Sequence, residues 1–431
     1  MKKLNIGLIG CGVVGIGVVR FLSEHKQFFK KRFATEFTVK TLCDLDIANK
    51  RFPLRVRAKR TTRYQDVVED PSIDVVIELI GGTKPAADII LGSLRSGKHI
   101  ITANKELLAL RGKEIFREAI RRNRHIYFET SVGAGIPLIN SIAEGLAGNK
   151  FRGLYGIING TCNFILSQMT NSNLTFSEAL KDAQKRGFAE SNPTLDINGM
   201  DSAHKLAILV FLTLGKFIKI KNIHLEGISH ISSVDIEYAK SLNLTIKLLA
   251  IAKKVHGELE VRVHPTLIAN SHPLASIHGV NNAVYLDTYP LGEVMISGQG
   301  AGQKSAAMGV ISDLLKLSAR LDGKALPYIA TLAKETSKIR LRRIADIETE
   351  FYIRFMAIDK PGVLATISGI LGKYGISIAS LSQKIRKKSS AVPIVMLTHH
   401  VKERRLRLAL EKISRLSVIR SKPVAIRMEK L

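Results

Sequence analysis

A chain of 431 residues is too long for one ordinary core and fits two or three domains of roughly 100 to 200 residues each. It is 45% apolar, without low-complexity tracts or internal repeats, which excludes disordered, fibrous and solenoid classes. The formal net charge of +28 raises nucleic acid or an anionic membrane as partners. Residues 350–431 are the most basic part, with 17 Lys and Arg against 5 Asp and Glu. There Arg404, Arg405, Arg407, Lys412 and Arg415 fall on the polar face of an amphipathic helix pattern with few aromatics interleaved, so a solvated face is expected and no nucleic-acid partner. The longest apolar run, Leu206 to Gly215, falls short of the roughly 20 residues of a membrane helix, so no membrane is expected. A strand pattern starts almost at Met1, leaving no targeting segment before it; a cytoplasmic location is expected. Cys11, Cys43 and Cys162 are widely spaced and form no C-x-x-C pair, which suits reduced thiols, and the histidines show no transition-metal spacing.

In chain order, residues 4–9 read as a strand, followed by Gly10-Cys11-Gly12-Val13-Val14-Gly15, a helix to about Ser23, and a second strand ending at Asp44. That is the order of a dinucleotide-binding unit. Gly10 permits the tight turn, Gly12 lets backbone approach a pyrophosphate, Gly15 lets helix pack on sheet, and the helix N-terminus, with Val13 and Val14, faces the phosphates. Asp44 suits a ribose 2′-hydroxyl and favours NAD, while Lys50, Arg51, Arg57 and Lys59 suit the 2′-phosphate of NADP. Two further strands end at Gly81-Gly82 and at Asn104-Lys105, which places these residues at the carboxyl edge of a parallel sheet, where such sheets bind ligands.

The pattern changes after HIYFET, and an α+β substrate domain is expected over residues 131–297. The loop GQGAGQ, containing Gly302, leads into a long helix that returns to the first domain, so the dinucleotide-binding domain comprises residues 1–130 and about 298–320. Residues 321–348 read as a connector, and 349–431 as a small ferredoxin-like β-α-β-β-α-β domain. The fold class expected is α/β.

Asp201 and Lys205 stand four apart on one helical face, beside Ala203, Leu206, Ala207 and Leu209, with Glu190 and Asp196 in the loop before. Alone the pair reads as a helical salt bridge. Against an apolar wall it also suits proton transfer, since burial disfavours the ammonium form while a carboxylate orients it. Clustered carboxylates suit a substrate carrying an ammonium group and a hydroxyl.

GCGVVG, ELIGG, TANKELLA, ETSVGAGIP, GIINGTCNFIL and GFAESNPTLDINGMDSAHKLAIL resemble, in order and spacing, the homoserine dehydrogenases, and MAIDKPGVLATISGILGKYGISIASLSQ resembles an ACT regulatory domain. The resemblance implies that Lys205 exchanges a proton with the substrate oxygen, that Lys105 reaches the same site, and that Glu190 and Asp201 hold the amino and hydroxyl ends of the substrate, with Asp196 in support. It implies a monovalent cation, sodium or potassium, held largely by backbone oxygens at Glu129, Val132, Ala134 and Ile136, against which stands a plain glycine-rich turn with Glu129 solvated. The activity implied is hydride transfer between NAD or NADP and L-homoserine or L-aspartate 4-semialdehyde. In the tail it implies an amino-acid effector, threonine, near Asp359, Gly362, Val363 and Leu364, with Gln383 as a polar contact, and a homodimer or homotetramer. One departure is Ala189-Glu190-Ser191-Asn192-Pro193, where many relatives read A-E-A-D-P, so one loop acid is missing.

Two other readings remain at this level. Cys162 in NGTCNF is the nucleophile of a semialdehyde dehydrogenase, although no histidine lies close in sequence and the Asp201/Lys205 pair is then unexplained. Alternatively, the tail and charge belong to a non-catalytic amino-acid-sensing regulator.

Overall fold

Short runs of Val, Ile and Leu closed by glycine or asparagine become strands buried on both faces, as in a sheet covered by helices. The computed structural model describes residues 1–53, 55–321, 332, 338–383 and 391–431. Contacts divide the chain into two compact units, one of Met1–Ile158, Asp201–Ile223 and Val280–Lys338, the other of Asn159–Met200, His224–Gly279 and Ile339–Leu431.

In the first unit β1 (Lys2–Ile9), β2 (Thr35–Cys43), β3 (Lys59–Thr61), β4 (Val75–Glu78), β5 (His99–Thr102) and β6 (Ile126–Tyr127) form a sheet in the order β3-β2-β1-β4-β5-β6. Every pairing in it is parallel. Strand order reverses between β1 and β4, and the carboxyl ends there make the crevice in which doubly wound sheets take ligands. The unit also holds an antiparallel set, β7 (Lys150–Ile157), β11 (Asn281–Tyr289) and β12 (Gly292–Gln299), in the order β12-β11-β7. The helix Met200–Leu214 is apolar nearly all round and buries twelve of its residues, as a helix lacking a polar face must.

The helix Gln303–Arg320 does return to the dinucleotide-binding sheet region. Gln303 Nε2 donates to the Val13 carbonyl at 2.9 Å. Two glycines make its approach possible: a Cβ on Gly135 would lie 2.5 Å from the Ser305 carbonyl oxygen, and one on Gly309 would lie 2.6 Å from that of Ala134. The contacts do not divide near residue 130, however, because β7, the helix Met200–Leu214 and the β11–β12 hairpin cluster with the parallel sheet.

The second unit is built on β8 (His224–Leu225), β9 (Leu244–Val255), β10 (Glu258–Ala269), β13 (Arg340–Leu341), β14 (Glu348–Ala357), β15 (Ile378–Ser382), β16 (Val392–Thr398), β17 (Val401–Lys402) and β18 (Val424–Met428). Its main path runs β9-β10-β18-β14-β16-β15. The β9–β10 hairpin closes through His256 and Gly257, both at positive φ (48° and 78°), the backbone that two-residue hairpin turns demand. The C-terminal strands, with the helices Val363–Lys373 and Glu403–Ser414, follow the expected β-α-β-β-α-β order around a core of Phe351, Ile353, Phe355, Ile367, Leu371 and Leu406.

That C-terminal fold is not an isolated bead. β18 pairs in parallel with β10 through Thr266↔Arg427 and Leu267↔Met428, making one sheet of both. Buried ions line the seam: Arg262, fully buried, pairs with Glu260 and Glu429, and Lys253 reaches Glu429 at 2.7 Å. Of the expected connector 321–348, residues 322–331 and 333–337 lie outside the described residues, while Arg340–Leu341 pairs with β10 and is therefore structured. Among the described residues no helix is long and apolar enough to cross a membrane.

Candidate active site

The helix Met200–Leu214 places Asp201 in its first turn and Lys205 one turn on, both buried. Lys205 Nζ donates to Asp201 Oδ2 at 2.7 Å and to the Ile158 carbonyl at 2.7 Å. From the other side Lys105, first residue of the helix Lys105–Arg121, brings its Nζ to Asp201 Oδ1 at 2.5 Å. One carboxylate thus holds two ammonium groups. Burial pushes the Asp201 carboxyl up, but Lys205 and Lys105 outweigh it and hold the group well below the usual carboxylate range. Lys205 is buried, whereas the Lys105 side chain is 41% exposed. Half-buried His204 stands on the same helix, its imidazole pushed down by burial against the pull of Glu106 and Asp201. Sequence reasoning passed over it.

Lys105 owes its place to the preceding residue. Asn104 caps its helix, Oδ1 accepting the Leu107 N–H at 3.0 Å, while Nδ2 donates to the Gly82 carbonyl at 2.7 Å. Gly81 and Gly82, both exposed and at positive φ (70° and 68°), form that turn. Buried Glu78 takes Thr102 Oγ1 at 2.6 Å and the Ile80 N–H at 2.9 Å, which ties the ends of β4 and β5 together.

At the end of β1, Gly10 stands at φ 99°, and a Cβ there would lie 2.7 Å from the Leu79 carbonyl carbon. On Gly15 a Cβ would lie 2.2 Å from the Gly10 oxygen, so helix and turn touch where only glycine fits. A Cβ on Gly12 would meet nothing within 4 Å, which leaves open space over the helix N-terminus. The helix Val13–Glu24 has no side-chain cap there, and Val13 is 67% exposed while Val14 is half-buried. Asp44 closes the turn, Oδ2 accepting the Cys11 N–H at 2.7 Å and Oδ1 that of Asp46 at 2.9 Å. Gly302, exposed and at φ 116°, is the N-cap of the helix whose Gln303 touches Val13. The bare, unobstructed helix end fits a pyrophosphate.

Glu129 is buried rather than solvated, its carboxylate accepting the N–H groups of Ile139 (2.8 Å) and Asn140 (2.9 Å). Burial pushes it up to about 7, against those two bonds. Its own N–H donates to Asp313 at 2.9 Å, a second fully buried acid pushed well up by burial and by Glu129. Val132, Ala134 and Ile136 are buried in the same loop, where Gly133 and Ala134 are consecutive positive-φ residues (78° and 55°). Glu129 beside this loop and Asp313 in the helix Gln303–Arg320 thus bring two buried acids together.

The remaining predicted acids belong to the second unit. Asp196 Oδ1 accepts Asn159 Nδ2 at 2.8 Å, and its main-chain oxygen accepts the Cys162 thiol at 3.2 Å. Glu190 is exposed, with its backbone oxygen accepting Gln184 Nε2 at 3.2 Å. Cys162 is fully buried and its Sγ lies 3.2 Å from the Asp196 carbonyl, a setting that gives a cysteine nucleophile no support.

In the C-terminal domain Asp359, Gly362, Leu364 and Gln383 are exposed, and Gly362 (φ 83°) is the N-cap of the helix Val363–Lys373. The Val363 side chain belongs to the core of the domain. One cluster escaped the sequence reading. Among the described residues His224, Glu226 and Glu403 have metal-ligand spacing, but Arg427 donates to Glu226 at 2.8 Å and to Glu403 at 2.7 Å, so an internal cation already neutralises them.

Comparison with known proteins gives one answer along the chain. The family description "Homoserine dehydrogenase, NAD binding domain" matches residues 10–129, "Homoserine dehydrogenase" matches 137–315 and "ACT domain" matches 351–418. A homoserine dehydrogenase of Synechocystis sp. is 40% identical over 433 residues, covering 99% of each chain. The solved homoserine dehydrogenase of Thiobacillus denitrificans is 35% identical with a TM-score of 0.89, covering 100% of this chain and 99% of that one. A hyperthermophilic archaeal homoserine dehydrogenase in complex with NADPH is 25% identical with a TM-score of 0.63, covering 75% of this chain and 100% of its own.

Proposed function

The chain belongs to the homoserine dehydrogenase family, and from that premise we propose how its residues divide the interconversion of L-homoserine and L-aspartate 4-semialdehyde. It is an NAD(P)-dependent oxidoreductase of this type, with an ACT domain at its C-terminus. When bound, the nicotinamide gives or takes the hydride.

The observation that carries the division of labour is the grip of Asp201 on both Lys205 and Lys105. Lys205 moves the proton at the substrate oxygen, giving it in reduction and taking it in oxidation. Its buried setting disfavours the ammonium form, and Asp201 opposes that and fixes the direction in which the Nζ points. Lys105 shares the carboxylate and steadies the oxygen as its charge changes. Glu190 and Asp201 hold the amino and hydroxyl ends of the substrate, with Asp196 in support.

Gly10, Gly12, Val13, Val14 and Gly15 receive the pyrophosphate, and Gly81, Gly82, Lys105 and Gly302 border the same cofactor. Asp44 receives the ribose and favours NAD over NADP. A monovalent cation would be held by backbone oxygens at Glu129, Val132, Ala134 and Ile136, beside the buried carboxyls of Glu129 and Asp313. Threonine is the proposed effector, taken up at Asp359, Gly362, Leu364 and Gln383 and the backbone of Val363, in a homodimer or homotetramer in the cytoplasm.

The test is a steady-state assay with L-homoserine and either NAD or NADP, beside Lys205→Ala. We expect NAD to support turnover and the variant to lose roughly 1,000-fold in kcat, within the usual span of general acid–base catalysis, while still binding cofactor. Silence of the wild-type protein in both directions with both cofactors would refute the reading.

A further inference from the structure

Glu78 ends β4 as a fully buried acid, and the proton step assigned above makes no use of it. Burial pushes its carboxyl up, against the pull of the Thr102 hydroxyl and the N–H groups of Ile80 and Gly81. The parallel register sets Glu78 directly beside Thr102 on β5, so the two side chains leave the sheet on one face. Thr102 has one hydroxyl proton, and it goes to Glu78 Oε2 at 2.6 Å. The hydroxyl oxygen then accepts the Asn104 N–H at 3.0 Å. Asn104 in turn works in two directions, its Oδ1 capping the helix Lys105–Arg121 through the Leu107 N–H and its Nδ2 donating to the Gly82 carbonyl. A carboxylate only accepts, so the acid fixes which way the hydroxyl faces and what that hydroxyl can accept. Through Oε1 the same acid takes the Ile80 N–H at 2.9 Å, where the glycine turn begins.

We propose that Glu78 is a positioning residue for the reaction, acting through Thr102 and Asn104 to set the first turn of the helix that carries Lys105 and so the angle at which the Lys105 ammonium meets Asp201. The inference rests on the reading of Lys105 as the group that steadies the substrate oxygen. The Lys105 side chain is 41% exposed and has many rotamers to choose from. Its aim is decided at its root, and that root is tied to a buried acid.

The experiment compares full-length wild type, Thr102→Val, Thr102→Ser, Glu78→Gln, Lys105→Ala and the double variant Thr102→Val/Lys105→Ala, measuring Tm, and kcat with L-homoserine and cofactor both saturating. Valine has the shape of threonine without the hydroxyl, and glutamine that of glutamate with a donor on one arm. Thr102→Val and Glu78→Gln should each lower kcat about 10-fold, a loss of the kind that misplacing a reacting group causes. Thr102→Ser, which puts the hydroxyl back, should recover most of that rate. Lys105→Ala should itself cost about 100-fold. In its background Thr102→Val should cost less than about twofold more, because the bonds act through the lysine. If Lys105→Ala lowers kcat but Thr102→Val and Glu78→Gln do not, or if the Thr102→Val loss persists undiminished beside Lys105→Ala, the positioning role is overturned while the reading of Lys105 stands. If Lys105→Ala leaves kcat unchanged, that reading falls and the proposal with it. Failure of Thr102→Val and Glu78→Gln to fold, or a loss that Thr102→Ser does not recover, would mark Glu78 and Thr102 as scaffold only and overturn it as well.

Discussion

Two acids of this molecule meet their partners in opposite ways. Asp201, in the first unit, is buried and paired with two lysines. Asp196, in the second, is only partly buried and held by an amide and a thiol that carry no charge. The first arrangement fixes the direction of the two ammonium groups to which the proposed function gives the proton step. The second bonds through neutral donors, at the side chain and at the main chain. The contrast teaches that two acids five residues apart in sequence are held by different chemistry, one by ammonium groups and the other by an amide and a thiol.

The comparison breaks most visibly at Asp201. Asp201→Asn leaves two ammonium groups without their shared counter-ion, Lys205 being buried. A loss of about 100-fold in kcat is expected, together with roughly 3 kcal/mol of stability from the uncompensated buried charge. Stopped-flow assay and chemical denaturation of the variant check both, and retention of kcat within twofold would show that Asp201 does not serve the proton step.

Next in size is the pH dependence. The folded Asp201 carboxyl is depressed by its two lysines, so its stabilising contribution is complete above the unfolded value of about 3.9 and is lost as pH falls toward the folded one. The difference in stability between wild type and Asp201→Asn should therefore stay level from about pH 5 to 8 and narrow below about pH 4. Urea unfolding at a series of pH values measures it, and a difference that disappears already near pH 6 would contradict the pairing.

The smallest effect sharpens the recognition side. Cys162→Ser keeps a donor toward the Asp196 carbonyl and removes only the sulfur. It should change kcat and homoserine KM by less than about threefold, whereas a nucleophile would cost several orders of magnitude. A steady-state assay decides between them.

How much of this was legible in the sequence follows from how far apart the partners stand. The turn at Gly10, Gly12 and Gly15 is written in residue type, since Gly10 demands positive φ and Gly15 tolerates no Cβ. Asp201 and Lys205 were legible because one helical turn joins them. The Lys105 contact, by contrast, depends on how two distant helices meet, and only the family resemblance pointed to it. Asn159 was invisible for another reason: an asparagine before a helix reads as a cap, and its second bond runs to a loop whose path no local pattern encodes. The Arg427 cluster was missed likewise, its partners coming from β8, the helix Glu403–Ser414 and β18. The grouping of the helix Met200–Leu214 with the parallel sheet was not legible, because a helix apolar all round carries no sign of which core it joins.

The junction of β10 with β18 bears on how such a tail can be gained or shed. A regulatory module tethered by a linker can be trimmed with little harm to its host. Here the cut would strip β10 of its neighbour along Thr266 and Leu267, leaving an open strand edge. It would also take Glu429 from Arg262 and Lys253, leaving both cations to share Glu260. Excision is therefore expected to yield an adhesive, less stable remnant, because the last strand of the ACT domain is part of the frame of its unit.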